Sequence, residues 1–104
     1  MTYWVNHLAG HSDIEYPLDS LAALYDELSG ANQEHTDVSL THETEWSLAA
    51  FSSGLLVLEN VAGEGESVHM KNVSKEKTLS LWRCLAEGKI EVVQKEDWKP
   101  GYGR

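Results

Sequence analysis

The chain has 104 residues, 41% hydrophobic and 24% charged, a composition that fits one globular domain and is too apolar for a disordered chain. Seventeen acidic residues outnumber eight basic ones, and the formal net charge of −9 argues against binding to nucleic acid or to an anionic membrane. The same balance favours a basic partner protein, although solubility alone is a sufficient reason for an acidic surface.

The first predicted elements are a strand and a helix. Residues 2–8 are rich in β-forming side chains and predict a short strand, and residues 9–17 predict a polar connection. Residues 18–30 predict a helix, which Asp19 or Ser20 can cap at its first turn. Its buried face has apolar residues at helical spacing: Leu18, Leu21, Leu24, Tyr25 and Leu28.

The middle of the chain predicts four short strands. Alternating or continuous apolar residues place them at residues 37–43, 45–51, 55–60 and 68–73. Residues 52–54 predict a tight turn between the second and the third of these strands, and the third is expected to be buried on both sides. Short links between the strands favour an antiparallel meander.

The C-terminal part predicts a second helix over residues 74–89, capped by Ser74 and ended by Gly88. Its buried stripe is expected to contain Thr78, Leu81, Trp82 and Leu85. Residues 90–98 fit either a last short strand or an irregular tail. The order β-α-β-β-β-β-α-tail predicts an α+β domain, in which two helices pack on one face of an antiparallel sheet of about four to five strands.

Features of membrane-spanning, secreted and disulfide-bonded proteins are missing from the sequence. The longest apolar run, residues 55–58, is far shorter than the ~20 residues of a membrane span. The N-terminal segment has neither the basic start nor the apolar stretch of a signal peptide. The single cysteine, Cys84, excludes an internal disulfide bond. We expect a cytoplasmic protein with a single domain over residues 1–104.

The histidines do not have the spacing of a metal site, and there is no second cysteine for zinc. His7 and His11 are four residues apart, but Gly10 lies between them where a strand should end, so a shared helical face is not expected. His42 is expected on the surface of its strand. We therefore expect no metal ligand and no cofactor.

Motifs for catalysis are also missing. There is no G-x-S-x-G motif, and Cys84 lies in the middle of a predicted helix, where an inert thiol is the usual outcome. The loop of residues 61–67 contains G-x-G, but its glutamates would repel a phosphate. Two pairs of glutamates lie at predicted turns, Glu43 with Glu45 and Glu64 with Glu66. A glutamate pair acts as acid and base only when burial raises the pKa of one carboxyl group, and we expect these pairs to be solvated. We expect a protein that is not an enzyme and has no catalytic residue.

A partner is instead expected to bind carboxylates on loops and strand ends, together with an exposed aromatic ring. The candidates for this surface are Asp37, Glu43, Glu45, Glu59, Glu64, Glu66 and Tyr102. Other carboxylates and rings that could take part are Asp13, Glu15, Glu34, Trp4, Tyr16, Trp46 and Trp98. For Trp46 and Trp82, core packing is the expected role.

Three segments resemble a known family. They are the first predicted helix, the strand pair over residues 46–60, and above all a Ser-capped helix that runs into the segment D-W-K-P-G-Y-G at residues 97–103. This arrangement resembles the small immunity proteins of bacterial polymorphic toxin systems, including contact-dependent growth inhibition. The layout is similar over most of the chain, and the motif part is limited to residues 74–103.

The resemblance implies a stoichiometric inhibitor that binds one cognate toxin domain in the cytoplasm and occludes its active site. Such toxins are often nucleases or deaminases with basic active faces, which suits an acidic inhibitor. The implied partner is the C-terminal domain of the toxin, with no direct contact to nucleic acid or membrane, and the implied state is a monomer or a weak homo-oligomer. No catalytic residue is carried over.

Two alternatives remain at this stage. The first is a small-molecule-binding or enzymatic α+β domain with a site between sheet and helices, and the second is an adaptor subunit of a larger complex. The tail has separate expectations: Trp98 packs on the core, Pro100 and Gly101 turn the chain, and Tyr102 is exposed for partner contact.

Overall fold

The chain folds into an antiparallel sheet with helices inserted at two points, described for residues 2–63 and 65–103 in a computed structural model. The strands in this part of the chain are β1 (Tyr3–Asn6), β2 (Ser12–Ile14), β3 (Asp37–His42), β4 (Trp46–Phe51), β5 (Leu56–Asn60), β6 (Val68–Met70) and β7 (Lys99–Pro100). The helices are α1 (Leu21–Asp26), α2 (Lys75–Ala86) and α3 (Ile90–Gln94), and 3₁₀ turns at Leu18–Ser20 and Glu27–Gly30 flank α1.

The strand order in the sheet is β2-β1-β3-β4-β5-β6-β7, and each neighbouring pair of described strands is antiparallel. Neighbouring strands in the sheet are therefore also consecutive along the chain, with one exception. The exception is the pair of β1 and β3, because β2 lies on the other side of β1. The helix α1 lies between β2 and β3 in sequence, and α2 and α3 lie between β6 and β7. The α+β class and the antiparallel sheet are confirmed.

The predicted number of about four to five strands was wrong, because the described residues form seven. The additional strands are the two edges: β2 lies inside the predicted polar connection, and β7 lies in the tail. Both are only two or three residues long and consist of exposed residues, so no apolar alternation marks them. The segment after α2, for which a strand or an irregular tail was considered, begins with the short helix α3.

The core lies between one face of the sheet and the helices. Leu40 and Leu48 face each other across β3 and β4, and both are fully buried in the same cluster as Leu24 of α1 and Leu85 of α2. Trp82 is fully buried as well, and its indole N–H donates to the Leu48 carbonyl at 2.9 Å. This bond satisfies a polar group inside the core and fixes α2 against β4.

Local capping explains why α2 begins and ends where the sequence predicts. The Ser74 hydroxyl accepts a hydrogen bond from the Lys77 amide at 3.1 Å. At the other end, Gly88 has φ +81°, and the amides of Gly88 and Lys89 donate to the carbonyls of Leu85 and Cys84 at 3.0 and 2.9 Å. This pair of bonds is a Schellman motif, which requires the left-handed conformation that glycine adopts readily.

The first helix is shorter than predicted. Only Leu21–Asp26 is α-helical, and the 3₁₀ turns on either side complete the predicted span. Ser20 precedes the α-helical part but makes no side-chain capping bond, so this cap was wrong. The apolar face was predicted correctly, because Leu21, Leu24 and Leu28 are all buried.

None of the helices in the described part of the chain is long and apolar enough to cross a membrane.

Candidate functional site

One face of the sheet, which we call the open face, contributes no residue to the core cluster. Its central row runs from Ile14 through Trp4, Thr41 and Ser47 to Glu59, each paired in register with the next. Val57 shows the separation of the two faces most clearly, because its side chain is buried but is not part of the core cluster. The open face thus has mixed character: Thr41, Ser47 and Glu59 are polar, Val57 in the middle of the sheet is apolar, and Trp4 and Ile14 lie towards one edge.

Two of the predicted binding residues meet on the open face. The Tyr102 hydroxyl donates to the Glu59 carboxylate at 2.9 Å, and Ser67 donates to the same carboxylate oxygen at 3.1 Å. Tyr102 is half exposed. The tail therefore reaches across β6 to place an aromatic ring beside a carboxylate of β5.

The turns at one end of the sheet bring more of the predicted residues to the same region. The Glu43 carboxylate accepts from the Thr2 amide at 2.8 Å, and the Val61 amide donates to the Glu45 carbonyl at 2.9 Å. These bonds hold the β3–β4 turn beside the N-terminal segment and beside the loop after β5. We call this region the acidic end, defined by Glu43, Glu45, Glu59, Glu66 and Tyr102.

The other two predicted binding residues are not part of the acidic end. Asp37 is the first residue of β3, pairs with Phe51, and therefore lies at the opposite end of that strand. Its carboxylate accepts a hydrogen bond from Thr36 at 2.7 Å. Glu64 lies outside the described residues.

Charge is distributed unevenly along the chain. Residues 1–70 contain twelve of the seventeen acidic residues and none of the eight lysines and arginines. In the described residues, Lys75 and Arg83 of α2 form ion pairs with Asp26 and Asp19. The other lysine ion pairs use carboxylates within residues 87–97. No such pair uses a carboxylate of the acidic end, so its negative charge is not compensated within the described chain.

The aromatic residues divide between the core and the open face. Trp46, Trp98 and Tyr16 are partly buried and pack against the core cluster, and the Trp98 indole donates to the Val93 carbonyl at 2.8 Å. Trp4, Phe51 and Tyr102 are rings of the open face, because Phe51 alternates in β4 with Ser47 and is not part of the core cluster. The expectations for Trp46 and Trp82 as core residues are confirmed, and so is the core packing of Trp98.

The expectation that His42 lies on the strand surface was wrong. Its side chain is only 2% exposed, because its position in β3 shares the core face with Leu40. Nδ1 accepts from the Thr44 amide at 3.2 Å and lies 2.9 Å from the Thr44 hydroxyl. Its Nε2 is buried and has no partner among the described residues.

A second cluster, which we call the histidine cluster, was missed by the spacing argument. It surrounds His7, whose ring nitrogens lie 2.7 Å from carboxylate oxygens of Glu27 and Asp13. His11 stacks on the same ring, with centroids 4.2 Å apart. No helix is needed to join His7 and His11, because the turn between β1 and β2 brings them together. Gly10, a residue typical of tight turns, is the sequence signal that could have indicated this.

Electrostatics in this cluster favour a positive charge. Burial lowers the pKa of His7, but hydrogen bonds and charges from Glu27 and Asp13 outweigh it, so the pKa is raised above its ordinary value. Nearby, burial and then the charge of Glu15 raise the pKa of Tyr3, whose hydroxyl donates to the Tyr16 carbonyl.

The space between sheet and helices, where the ligand-site alternative would place its site, is filled by buried apolar side chains. Leu24, Leu48, Trp82 and Leu85 have no exposed surface there. A depression of about 440 Å³ lies on the outside instead, lined by His69, Met70, Lys71, Asp97 and Lys99.

Comparisons of the chain with protein-family models, with curated proteins and with solved structures found no match.

Proposed function

We propose that this protein is a stoichiometric inhibitor of the immunity type, which binds a basic toxin domain in the cytoplasm and occludes its active site. The observation that carries the proposal is the acidic end, where Glu43, Glu45, Glu59 and Glu66 have no lysine or arginine partner in the described chain. Uncompensated carboxylates on a folded surface suit a partner that supplies the missing cations.

The geometry of the acidic end supports a rigid binding surface. Glu43 is tied to Thr2, and Glu59 is held by Tyr102 and Ser67, so neither carboxylate has to be ordered fully on binding. Side chains that are ordered before association lose less conformational entropy when the complex forms. Tyr102 adds a half-exposed ring, the type of residue that often anchors an interface.

Charge also suits the task of neutralising a toxin that is harmful at low concentration. A nuclease or a deaminase needs a basic surface to bind phosphates, and this surface attracts an acidic protein before contact. Association is then accelerated, and occlusion of the basic surface blocks the substrate without any chemistry by the inhibitor.

The monomeric state that the proposal favours has support at the sheet edges. Edge strands can pair with other chains unless they are short or interrupted. The edge strand β2 has three residues and contains Asp13, and the other edge strand, β7, has two residues and contains Pro100. A charge and a proline at the edges both oppose pairing between sheets.

The experiment uses the toxic domain that the proposal expects at the C-terminal end of a large secreted protein encoded by the adjacent upstream gene. That domain is expressed in bacteria with and without the chain, and the mixture is analysed by gel filtration. We expect growth to be rescued only by co-expression and a one-to-one complex to elute. Loss of growth in both cultures, with the two proteins eluting separately, would reject the proposal.

A further inference from the structure

The histidine cluster lies at the end of the sheet opposite to the acidic end and does not depend on the proposed function. Its members are His7, His11, Asp13 and Glu27. His7 directly follows β1, His11 belongs to the turn, Asp13 is the middle residue of β2, and Glu27 opens the 3₁₀ turn after α1. Three separate elements therefore converge on one imidazole ring.

Ligand atoms of three side chains lie close enough to surround one ion. One nitrogen each of His7 and His11 and one oxygen of Asp13 lie within 4.8 Å of one another. The closest pair is His7 Nε2 and Asp13 Oδ2, at 2.7 Å. Two imidazoles and a carboxylate are a ligand set that zinc and related transition metals accept, whereas magnesium and calcium prefer oxygen ligands alone.

Glu27 supplies the support that a metal-binding histidine normally has. Its carboxylate lies 2.7 Å from His7 Nδ1, and its other oxygen accepts from the Leu8 amide at 3.0 Å. A hydrogen bond from Nδ1 to a carboxylate fixes the tautomer that leaves Nε2 free to bind a metal. Nε2 is the nitrogen that points towards Asp13.

The turn that presents these side chains is held by its own backbone. The His7 amide donates to the His11 carbonyl at 2.8 Å, and the Gly10 amide donates to the His7 carbonyl at 2.9 Å. His7 is buried, while His11 and Asp13 are exposed. The cluster thus combines one fixed ligand with two ligands that can adjust from the solvent side.

Admitting an ion requires movement of the two exposed ligands, Asp13 and His11. Two ligand atoms at about 2.0 Å from a tetrahedral zinc ion are separated by about 3.3 Å, slightly more than the distance between His7 and Asp13. The exposed Asp13 side chain can retreat by this amount. The His11 ring, which is stacked at an interplanar angle of 9°, has to turn so that a nitrogen faces the ion.

We propose that His7, His11 and Asp13 form a three-ligand site for zinc or a similar transition metal, with Glu27 as the positioning residue for His7. Solvent occupies the fourth position of the metal. The negative charges of Asp13 and Glu27 favour a divalent cation over the empty cluster.

The test is direct binding of Zn²⁺ and Co²⁺ to the tag-free chain, followed by calorimetry and by the visible absorption of Co²⁺. We expect one ion per chain and no comparable binding of Mg²⁺. His11→Ala and Asp13→Asn change exposed side chains, so the fold should persist, and each should weaken Zn²⁺ binding at least tenfold. Glu27→Gln should weaken it about 10–100-fold, the usual effect of losing a partner of a metal-binding histidine.

The control variant is His35→Ala, which removes a histidine outside the cluster and should leave Zn²⁺ affinity unchanged. Circular dichroism of each variant verifies that it is folded. Absence of Zn²⁺ binding by the unmodified chain would overturn the proposal. It would also be overturned by binding that survives in both His11→Ala and Asp13→Asn, because the ion would then have to lie elsewhere.

Discussion

At the scale of single residues, His42 is a buried side chain whose hydrogen-bonding groups are not all satisfied among the described residues. Its Nδ1 accepts a hydrogen bond from the Thr44 amide, so in the neutral ring the proton belongs to Nε2. That N–H is buried and has no partner among the described residues. An unsatisfied buried donor costs about 1–3 kcal/mol of the free energy of unfolding.

We predict that His42→Leu raises the free energy of unfolding by about 1 kcal/mol, because it removes the unpaired donor and fills a similar volume with apolar atoms. The Thr44 amide loses its acceptor, but Thr44 is exposed and water can replace the histidine. Urea denaturation measures the change. The control is His42→Ala, which leaves a cavity and should lower stability by about 2 kcal/mol or more. A His42→Leu variant less stable than the unmodified chain would show that Nε2 is hydrogen-bonded after all.

Residue-scale contacts also explain why the histidine cluster was not predicted from the sequence. Spacing rules for metal ligands assume a helix or a known loop, and His7 and His11 fit neither pattern. Their contact depends on the conformation of the turn at Gly10, whose φ is +101°. Glu27 is twenty residues from His7 and joins the cluster only through the packing of the turn after α1.

At the scale of elements, the C-terminal tail joins the two sides of the sheet. Trp98 packs on the core side, β7 pairs with β6, and Tyr102 lies on the open face. The backbone makes two further contacts, from the Gly101 amide to the Ser67 carbonyl at 2.8 Å and between His69 Nδ1 and the Gly101 carbonyl at 3.0 Å. The tail is therefore both a core segment and a part of the candidate binding surface.

We predict that Gly103→Ala detaches the end of this tail. Gly103 has φ +76°, and a Cβ atom there would lie 2.5 Å from Cδ2 of the His69 ring. The ring cannot retreat without losing its bond to Gly101. We expect stability to fall by about 1–3 kcal/mol and hydrogen exchange of the Gly101 amide to accelerate, measured by NMR.

The matched control for this variant is Gly101→Ala. Gly101 also has a positive φ, +84°, but no atom lies within 4 Å of a Cβ placed there. It should therefore show the backbone strain alone and a smaller loss of stability. If the two substitutions lower stability equally, the clash between the new Cβ atom at residue 103 and the His69 ring contributes nothing to the loss.

Elements were predictable from the sequence where local chemistry determines them. The helix α2 has its cap, its apolar stripe and its terminal glycine within sixteen consecutive residues, 74–89, and all three were predicted correctly. The edge strands β2 and β7 become strands only because a neighbouring strand offers free backbone groups. Pairing of this kind depends on tertiary structure, and a short polar segment carries no mark of it.

The candidate binding surface was predictable only in part, for the same reason. The turn containing Glu43 and Glu45 follows from the strand pattern, but its position relative to Glu59 depends on the order of strands in the sheet. Asp37 begins β3 and Glu43 directly follows it, so the two carboxylates lie at opposite ends of the same strand. The pairing of Tyr102 with Glu59 requires the tail to return to the sheet, which the sequence alone leaves open.

At the scale of the whole molecule, the dominant electrostatic feature is the excess of carboxylates in residues 1–70, which contain no lysine or arginine. The Cα radius of gyration is 12.3 Å, close to the value of about 13 Å expected for one compact domain of this length. Charges on opposite ends of such a molecule are separated by more than the Debye length of about 10 Å at moderate salt. At moderate salt, a partner approaching the acidic end therefore responds mainly to that end, and less to carboxylates at the opposite end of the sheet such as Asp37.

The distance between the two ends of the sheet gives a prediction about association kinetics with the toxin domain. Glu43→Lys combined with Glu45→Lys should lower the association rate constant about tenfold or more at low salt, because steering depends on charge near the contact. The difference from the unmodified chain should shrink as salt is added, and the dissociation rate should change less. Stopped-flow mixing at several salt concentrations measures both rates.

The control reverses two carboxylates at the opposite end of the sheet, Glu34→Lys with Asp37→Lys. Both double variants change the net charge by the same amount, so any difference between them is caused by position. Steering by net charge alone would slow association equally in the two variants, and the acidic end would then have no special role. A larger effect at Glu43 and Glu45, measured at moderate salt where the Debye length of about 10 Å is shorter than the molecule, would instead locate the binding surface at the acidic end.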